Sequence, residues 1–356
     1  MIGYLVDYLR QSSTDVNKNT RIFLTGATGF TGSYIARTLL KQGYSSLTAI
    51  KRSSSSIDLL NGQEGKISWI EADLQDVDAI DNSLKDIDVI IHAAAIVNFK
   101  GKDKHAVYAC NVHMVHDLVN LALKNNIKKF IHFSSIAAMG RTGDGTMVDE
   151  NTEWVDSPFN SDYGKSKYLG EMEVWRASAE GLPVVILNPS LIMGAGFWHN
   201  TTPAIYKEVE RGHNYYPLGT NGMVDVRDVA KAVILALDDK IVNERFLLNA
   251  DNTSYFDMFS TIAKHINAII PTKPLTKTLH SLMTSGTRML ELLPIKLPFS
   301  SQQLQVLNSI SNYNAAKSRE LLGMEYRSIE ETLVETAEVF NHSKAAGKKY
   351  GILEIK

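Results

Sequence analysis

The chain contains one cysteine, Cys110. That excludes an internal disulfide and any cysteine-based zinc cluster, and it points to a reducing compartment, the cytoplasm. Charge of one sign is also lacking: 37 Lys and Arg stand against 39 Asp and Glu, a net −2. Nothing electrostatic therefore favours nucleic acid or an anionic membrane as a partner. No stretch approaches the roughly 18 uninterrupted apolar residues of a membrane span. Met1 to Leu9 is apolar in places, but Asp7 interrupts it, and neither a basic start nor a small-residue cleavage site accompanies it. A helical extension over residues 1–20, packed on its own fold or on a second subunit, is expected instead. The ten histidines show no metal-ligand spacing, so no metal is expected.

What is present begins with Arg21 to Gln42. Ile22 to Leu24 has the length of a buried strand. Gly26, Gly29 and Gly32 follow at three-residue spacing, and Ile35, Ala36, Leu39 and Leu40 then share one helical face, stopped by Gly43. A strand, a glycine turn and a helix N-terminus make a phosphate cradle. The glycines carry no Cβ to block a pyrophosphate, and the first free helix amides face the anion. The spacing is Gly-x-x-Gly-x-x-Gly rather than the Gly-x-Gly-x-x-Gly of ordinary dinucleotide folds.

Apolar runs at Leu47–Ile50, Ile67–Ile70, Val89–Ile91, Phe130–Phe133 and Val184–Leu187 read as further strands. Helical patterns lie between them at Asp76–Leu84, Ala106–Asn125 and Asp162–Glu180. This alternation predicts an α/β fold with a doubly wound parallel sheet. Residues 21–190 form the dinucleotide-binding domain, its sheet completed by parts of 224–250, including a strand at Arg245–Leu248. Residues 191–345 read as a smaller, partly interleaved substrate lobe, with helices near Pro203–Arg211, Val229–Leu237 and Tyr255–Ile266. Pro274 to Ile310 reads as helical and apolar, and within it Pro274 to Phe299 either buries one face in its own lobe or forms a lid or interfacial helix. Residues 346–356 read as a tail.

About 20 residues past a glycine turn, an acidic residue suits the ribose hydroxyl of NAD and an arginine suits a 2′-phosphate. Here Ile50 is followed by Lys51, Arg52 and serines, which favours NADP, since a guanidinium matches phosphate with a planar fork. Asp73, ahead of Leu74, could accept from an adenine amino group or cap a helix. Ala93, Ala94 and Ala95 could let the backbone approach a flat ligand or a packed helix. His92 before them reads as a core or hydrogen-bonded histidine.

Tyr163 and Lys167 are one helical turn apart and share a face. Tyrosine's ordinary pKa of about 10 suits a proton donor better than a base. A nearby ammonium would lower it, and a serine from Ser134-Ser135 could hold a carbonyl oxygen beside it.

These residues resemble the extended short-chain dehydrogenase/reductase family, which holds nucleotide-sugar epimerases and dehydratases, dihydroflavonol reductases and 3β-hydroxysteroid dehydrogenases. The resemblance runs from about Arg21 to Phe340. It rests on Thr25 to Gly32, Asp73-Leu74, His92 to Ala95, Asn111-Val112, Ser134 to Gly140, Tyr163 with Lys167, Asn188 to Ser190, Val224 to Ala230 and Asn314 to Gly323. It implies a Rossmann sheet with cofactor contacts from Gly26, Thr28, Gly29, Phe30 and Gly32. Tyr163 is then the catalytic acid/base, and Lys167 binds the nicotinamide ribose and lowers the phenol pKa. Ser135 orients the carbonyl, Asn111 shapes the helix behind the site, and Pro189 packs the nicotinamide. Substrate contacts are expected from Val97 and Asn98, Met139 to Thr142, Phe197 to Asn200 and Tyr215-Tyr216. A homodimer through the helices at 106–125 and 162–180 is also implied.

Departures from the sugar enzymes direct the expectation toward reductases. Lys51-Arg52 replaces the acidic residue after the second strand, Met139 stands where those enzymes have tyrosine, and Ile136 replaces the dehydratases' acidic residue. The strand end followed by Lys-Arg-Ser resembles the dihydroflavonol-reductase branch. An NADPH-dependent reductase of a mid-sized, partly apolar carbonyl compound is expected. A nucleotide-sugar epimerase or dehydratase with tightly held cofactor, and a non-catalytic dinucleotide sensor, are the alternatives.

Overall fold

Short, mainly apolar runs bounded by turns suit strands buried on both faces in the middle of a layered sheet, and Ile22–Leu24, Val89–Ile91, Phe130–Phe133 and Val184–Leu187 lie in such strands. The computed structural model describes residues 17–97, 104–140, 144–157, 160–290 and 306–355. Its main sheet contains β1 (Ile22–Thr25), β2 (Leu47–Lys51), β3 (Ser68–Glu71), β4 (Val89–His92), β5 (Lys129–Phe133), β7 (Val184–Pro189) and β11 (Glu244–Leu248), in the order β11-β7-β5-β4-β1-β2-β3. Every pairing is parallel. The order reverses between β1 and β4, and the crevice outside the carboxyl ends at such a reversal is where open α/β sheets bind ligands.

Side chains alternate between two cores. Ile22, Leu24, Ile131, Phe133, Val185 and Leu187 face one way, toward α1 (Phe30–Lys41) and α7 (Val226–Ala236). Phe23, Ile90, Phe130, Val184 and Ile186 face the other, toward α2 (Val77–Leu84), α4 (Met114–Lys124) and α5 (Asp162–Ala179). Each fully buried aliphatic side chain contributes about 1.5–3 kcal/mol, so this two-sided core anchors the strand ends that carry the site. Side-chain caps set several helix starts: Ser161 accepts from Gly164 N at 3.0 Å, and Asp225 and Ser254 cap the following helices in the same way.

The helix expected over 106–125 is interrupted. Short α3 (Lys104–Tyr108) runs into a π turn, Ala109–His113, before α4. The wider turn carries Asn111, which is buried, and π turns gather at functional sites.

A second sheet, absent from the sequence reading, lies in the later half. It has the order β12-β10-β14-β6, with β8 (Leu191–Met193) also on β10 (Thr220–Asp225). The others are β6 (Asp144–Val148), β12 (Asp251–Ser254) and β14 (Ile310–Tyr313). The stretch expected to be helical from Pro274 to Ile310 is bounded by strands: β13 (Lys273–Pro274) pairs with β9 (Tyr215–Tyr216), and Ile310 opens β14. Between them is the helix α9 (Lys277–Leu290). Residues 346–355, expected to be a tail, return to α1. Leu353 is buried, its N–H donates to the Tyr34 hydroxyl at 2.8 Å, and its carbonyl accepts from Arg37 at 2.9 Å. Residues 1–16, which hold most of the expected N-terminal helix, lie outside the described residues. Among the described residues no helix is long and apolar enough to cross a membrane.

Candidate active site

The cradle is built by exclusion of side chains. A Cβ on Gly32 would lie 2.0 Å from the Gly26 carbonyl oxygen, and one on Gly26 would lie 2.8 Å from the Ala94 nitrogen. Gly26 also sits at φ +76°, which L residues rarely adopt. Gly29 caps α1 without a side chain, and no acidic residue occupies the first turn. The first intrahelical bond runs from Ser33 N–H to the Gly29 carbonyl at 3.0 Å. The amides of Phe30, Thr31 and Gly32 thus precede the hydrogen-bond ladder, as an anion site requires. Thr28 joins them on the cavity wall. Thr25 ties the cradle to β4, its hydroxyl accepting from Ala94 N–H at 3.2 Å and pairing with His92 Nδ1 at 2.8 Å. His92 is therefore a hydrogen-bonded core residue.

Lys51 and Arg52 differ. Lys51 Nζ donates to Glu71 at 3.2 Å, whereas Arg52 is exposed and has no side-chain hydrogen bond or ion pair among the described residues. Asp73 turns the chain by accepting from Gln75 N–H at 2.9 Å, and the cap of α2 is Asp76. Leu74 packs against the second core. These donors and the side-chain-free turn fit the pyrophosphate and ribose of a dinucleotide.

Ser135, Tyr163 and Lys167 come together on one cavity wall beside the carboxyl ends of β5 and β7. Ser135 caps the 3₁₀ turn Ile136–Met139, its Oγ accepting from Ala137 N–H at 3.1 Å. Its side chain is hydrogen-bonded to the Tyr163 hydroxyl. Tight packing of α5 on this turn needs Gly164, where a Cβ would lie 2.8 Å from the Ala137 carbonyl oxygen. Lys167 is buried and donates to the Phe133 carbonyl at 2.5 Å; desolvation brings its pKa down to about 8.

The expectation that Lys167 lowers the phenol pKa is not met in this structure. Loss of water pushes Tyr163 up from its ordinary value, and the opposing influence is the hydrogen bond from Ser135. Asn111 is spent on positioning. Its Oδ1 accepts from Ile96 N–H at 2.9 Å, and its Nδ2 donates to the Ile96 carbonyl and to Ser166 Oγ, each at 3.0 Å. It thereby fixes the segment that follows β4.

A cavity of about 1120 Å³ begins at Gly26–Gly32, passes Ser135, Tyr163, Lys167 and Pro189, and extends into the later half of the chain. Ala93, Ala95, Val97, Phe197 and Tyr216 line it. Ala94 instead backs the cradle. Met139 does not reach the cavity: at 1% exposure it packs with Val148, Leu247 and Tyr313, filling the joint between the two sheets. Asn98 and residues 141–142 lie outside the described residues.

Sequence reasoning missed much of the far wall, formed by Tyr255, Met258, Phe259, Leu275 and Leu307. Three residues of the cavity wall, Ser134, Ser190 and Asn221, also hold a buried side-chain oxygen (Oγ, Oγ and Oδ1) with no hydrogen-bond partner among the described residues, and of these the sequence reading offered only Ser134 for the site. Ser190 was signalled by Asn188-Pro189-Ser190 and Ser134 by its neighbour Ser135. Asn221, on an unrecognised strand, had no signal. Among the described residues no group of His, Cys, Asp and Glu could hold a metal ion.

The chain is similar to known proteins. A Synechocystis sp. protein assigned as a dihydroflavonol 4-reductase is 30% identical over 240 residues, which cover 65% of this chain and 68% of that protein. Sterol demethylase protein B of Methylococcus capsulatus is 26% identical over 245 residues, covering 66% and 73%. The crystal structure of gox2253 shares the fold with a TM-score of 0.79 and 25% identity, over 91% of this chain and 98% of that one. A family model for the NAD dependent epimerase/dehydratase family matches residues 22–248. That match runs from the first residue of β1 to the last of β11, the whole main sheet, and the chain belongs to this enzyme family.

Proposed function

We propose that the protein is an NADP(H)-dependent reductase of a carbonyl group on a mid-sized, largely apolar molecule. The observation that carries this reading is the Tyr163–Ser135 hydrogen bond at the inner end of an apolar cavity that opens on the glycine cradle. When bound, the dinucleotide supplies hydride. The residues of the chain do the rest. Ser135 holds and aligns the carbonyl oxygen. Tyr163, kept protonated by burial, gives its proton to that oxygen as negative charge develops there. Lys167, on the same helix face, meets the ribose.

Arg52 supports NADP over NAD because its guanidinium is uncommitted while Lys51 is paired with Glu71. Residues 191–345 supply most of the substrate wall. Two of the relatives bear names that refer to a dihydroflavonol and to a sterol, in keeping with the aromatic and aliphatic lining here. The test is NADPH consumption, followed by absorbance, across flavonoids, steroid ketones, aromatic aldehydes and nucleotide sugars. Net oxidation with an apolar carbonyl compound, faster with NADPH than with NADH, is expected. A cofactor that copurifies and turns over without net consumption on nucleotide sugars would establish an epimerase or dehydratase instead.

A further inference from the structure

One helical turn beyond Lys167, Glu171 is fully buried, a costly place for a carboxylate unless it is paired and hydrogen-bonded. Both its oxygens are taken. Oε1 accepts from Asn188 Nδ2 at 2.5 Å, and Oε2 accepts from Arg245 at 3.3 Å. The Asn188 amide also donates to the Ser135 main-chain oxygen at 3.0 Å. Arg245 is anchored in turn by donation to the Glu150 carbonyl. One carboxylate thus joins α5, β7, β11 and the turn that bears Ser135.

We propose that Glu171 is a positioning residue of the reductase site: through Asn188 it fixes the Ser135 main chain, and its negative charge holds Lys167 in the cationic form. The second half rests on the reading of Lys167 as the ribose-binding cation. The groups around Lys167 leave that task to Glu171. His92 and His132, on β4 and β5, are held neutral by burial, and their influence runs against a second positive charge. Cys110, on the π turn, would assist only as a thiolate, and burial pushes its thiol up from the ordinary value. Tyr163, on the same helix, is also pushed toward its neutral form. Against the desolvation of Lys167 stand first the Cys110 sulfur and then Glu171, and with the thiol held protonated by burial the carboxylate one helical turn away is the opposing charge that remains among the described residues.

The experiment follows the Lys167 side-chain signal in protein labelled with ¹³C-lysine and free of cofactor, identified by its loss in Lys167→Met, from about pH 6 to about pH 10. The wild-type midpoint is expected near 8. Glu171→Gln, which keeps the size of the side chain and an amide able to hydrogen-bond, should lower it by about one pH unit. NADPH affinity at pH 8 should fall up to about tenfold in the same samples. The double variant Glu171→Gln/Arg245→Met leaves no orphaned guanidinium and should show the same lowering, so poor folding of the single variant does not hide the result. An unmoved midpoint in either folded variant overturns the proposal. A lowered midpoint in a protein that never binds NADPH supports the hold of Glu171 on Lys167 and sinks the cofactor reading instead.

Discussion

The imidazoles of His92 and His132 lie stacked on adjacent strands, with ring centroids 5.5 Å apart, in a core that shields both from water. His92 Nε2 and both His132 nitrogens have no hydrogen-bond partner among the described residues. Burial brings the His92 pKa down to about 3 and places His132 well below its ordinary value, with the Lys167 ammonium adding to both shifts. The folded state therefore keeps both neutral where an unfolded chain, with a histidine pKa of about 6.5, takes up protons. Their contribution is fully present above pH 6.5 or so and is lost as the pH falls from there toward about 3. The limiting slope is about 1.4 kcal/mol per pH unit for each histidine. Thermal unfolding midpoints should fall steadily between about pH 6.5 and about pH 4.5, and His132→Leu should flatten that fall. An equally steep profile in the variant would show that these rings are not its source.

Tyr163 and Ser135 should separate in mutant kinetics. Tyr163→Phe removes the proton donor but leaves the ring, so NADPH affinity should hold while turnover falls by about 10²–10⁴-fold. Ser135→Ala removes one hydrogen bond to the developing oxyanion and should cost about 10²-fold. Because the two side chains are bonded to each other, the double variant should lose less than the product of the two effects. Single-turnover rates and cofactor titrations check all three, and multiplicative losses would contradict a shared role.

How much of this was legible follows from what each residue faces. Ile22 to Leu24 and Val184 to Leu187 are buried on both faces, so they read as unbroken apolar runs and place the main sheet correctly. The glycine triplet and the pair Tyr163 and Lys167 are local patterns, so they too could be read. Strands such as Asp251–Ser254 and Ile310–Tyr313 could not. They are short and polar, and they exist because β10 offers a template far along the chain. Met139 carries nothing in its own type to show that it fills a joint between sheets. Glu171, Asn188 and Arg245 are dispersed in sequence and meet only when α5, β7 and β11 are assembled.

Arg52 and Lys51 make opposite predictions although they are neighbours. The uncommitted guanidinium of Arg52 should account for the preference for NADPH, so Arg52→Ala should weaken NADPH binding by about ten- to a hundredfold and leave NADH nearly unchanged, as expected for a lost charge-assisted hydrogen bond. Lys51 already donates to Glu71, and Lys51→Ala should change either affinity by no more than about threefold. Fluorescence titration with the two cofactors decides. Equal losses for both in Arg52→Ala would remove the arginine from recognition of the 2′-phosphate.

Asn221 offers a test of what the cavity takes. It is 5% exposed, lines the cavity, donates to the Tyr255 hydroxyl at 3.3 Å, and keeps its Oδ1 buried with no partner among the described residues. A buried polar atom left unmade costs about 1–3 kcal/mol, so the free protein carries a local destabilisation that a ligand hydroxyl can relieve in either orientation of the amide. Asn221→Leu should keep or raise the unfolding temperature, while KM for a hydroxyl-bearing carbonyl substrate rises about tenfold and KM for its deoxy analogue stays the same. The comparison works because the two compounds differ only at the group in question. Lower thermal stability with both KM values unchanged would mean that the amide serves the fold through Tyr255 and reads nothing in the substrate.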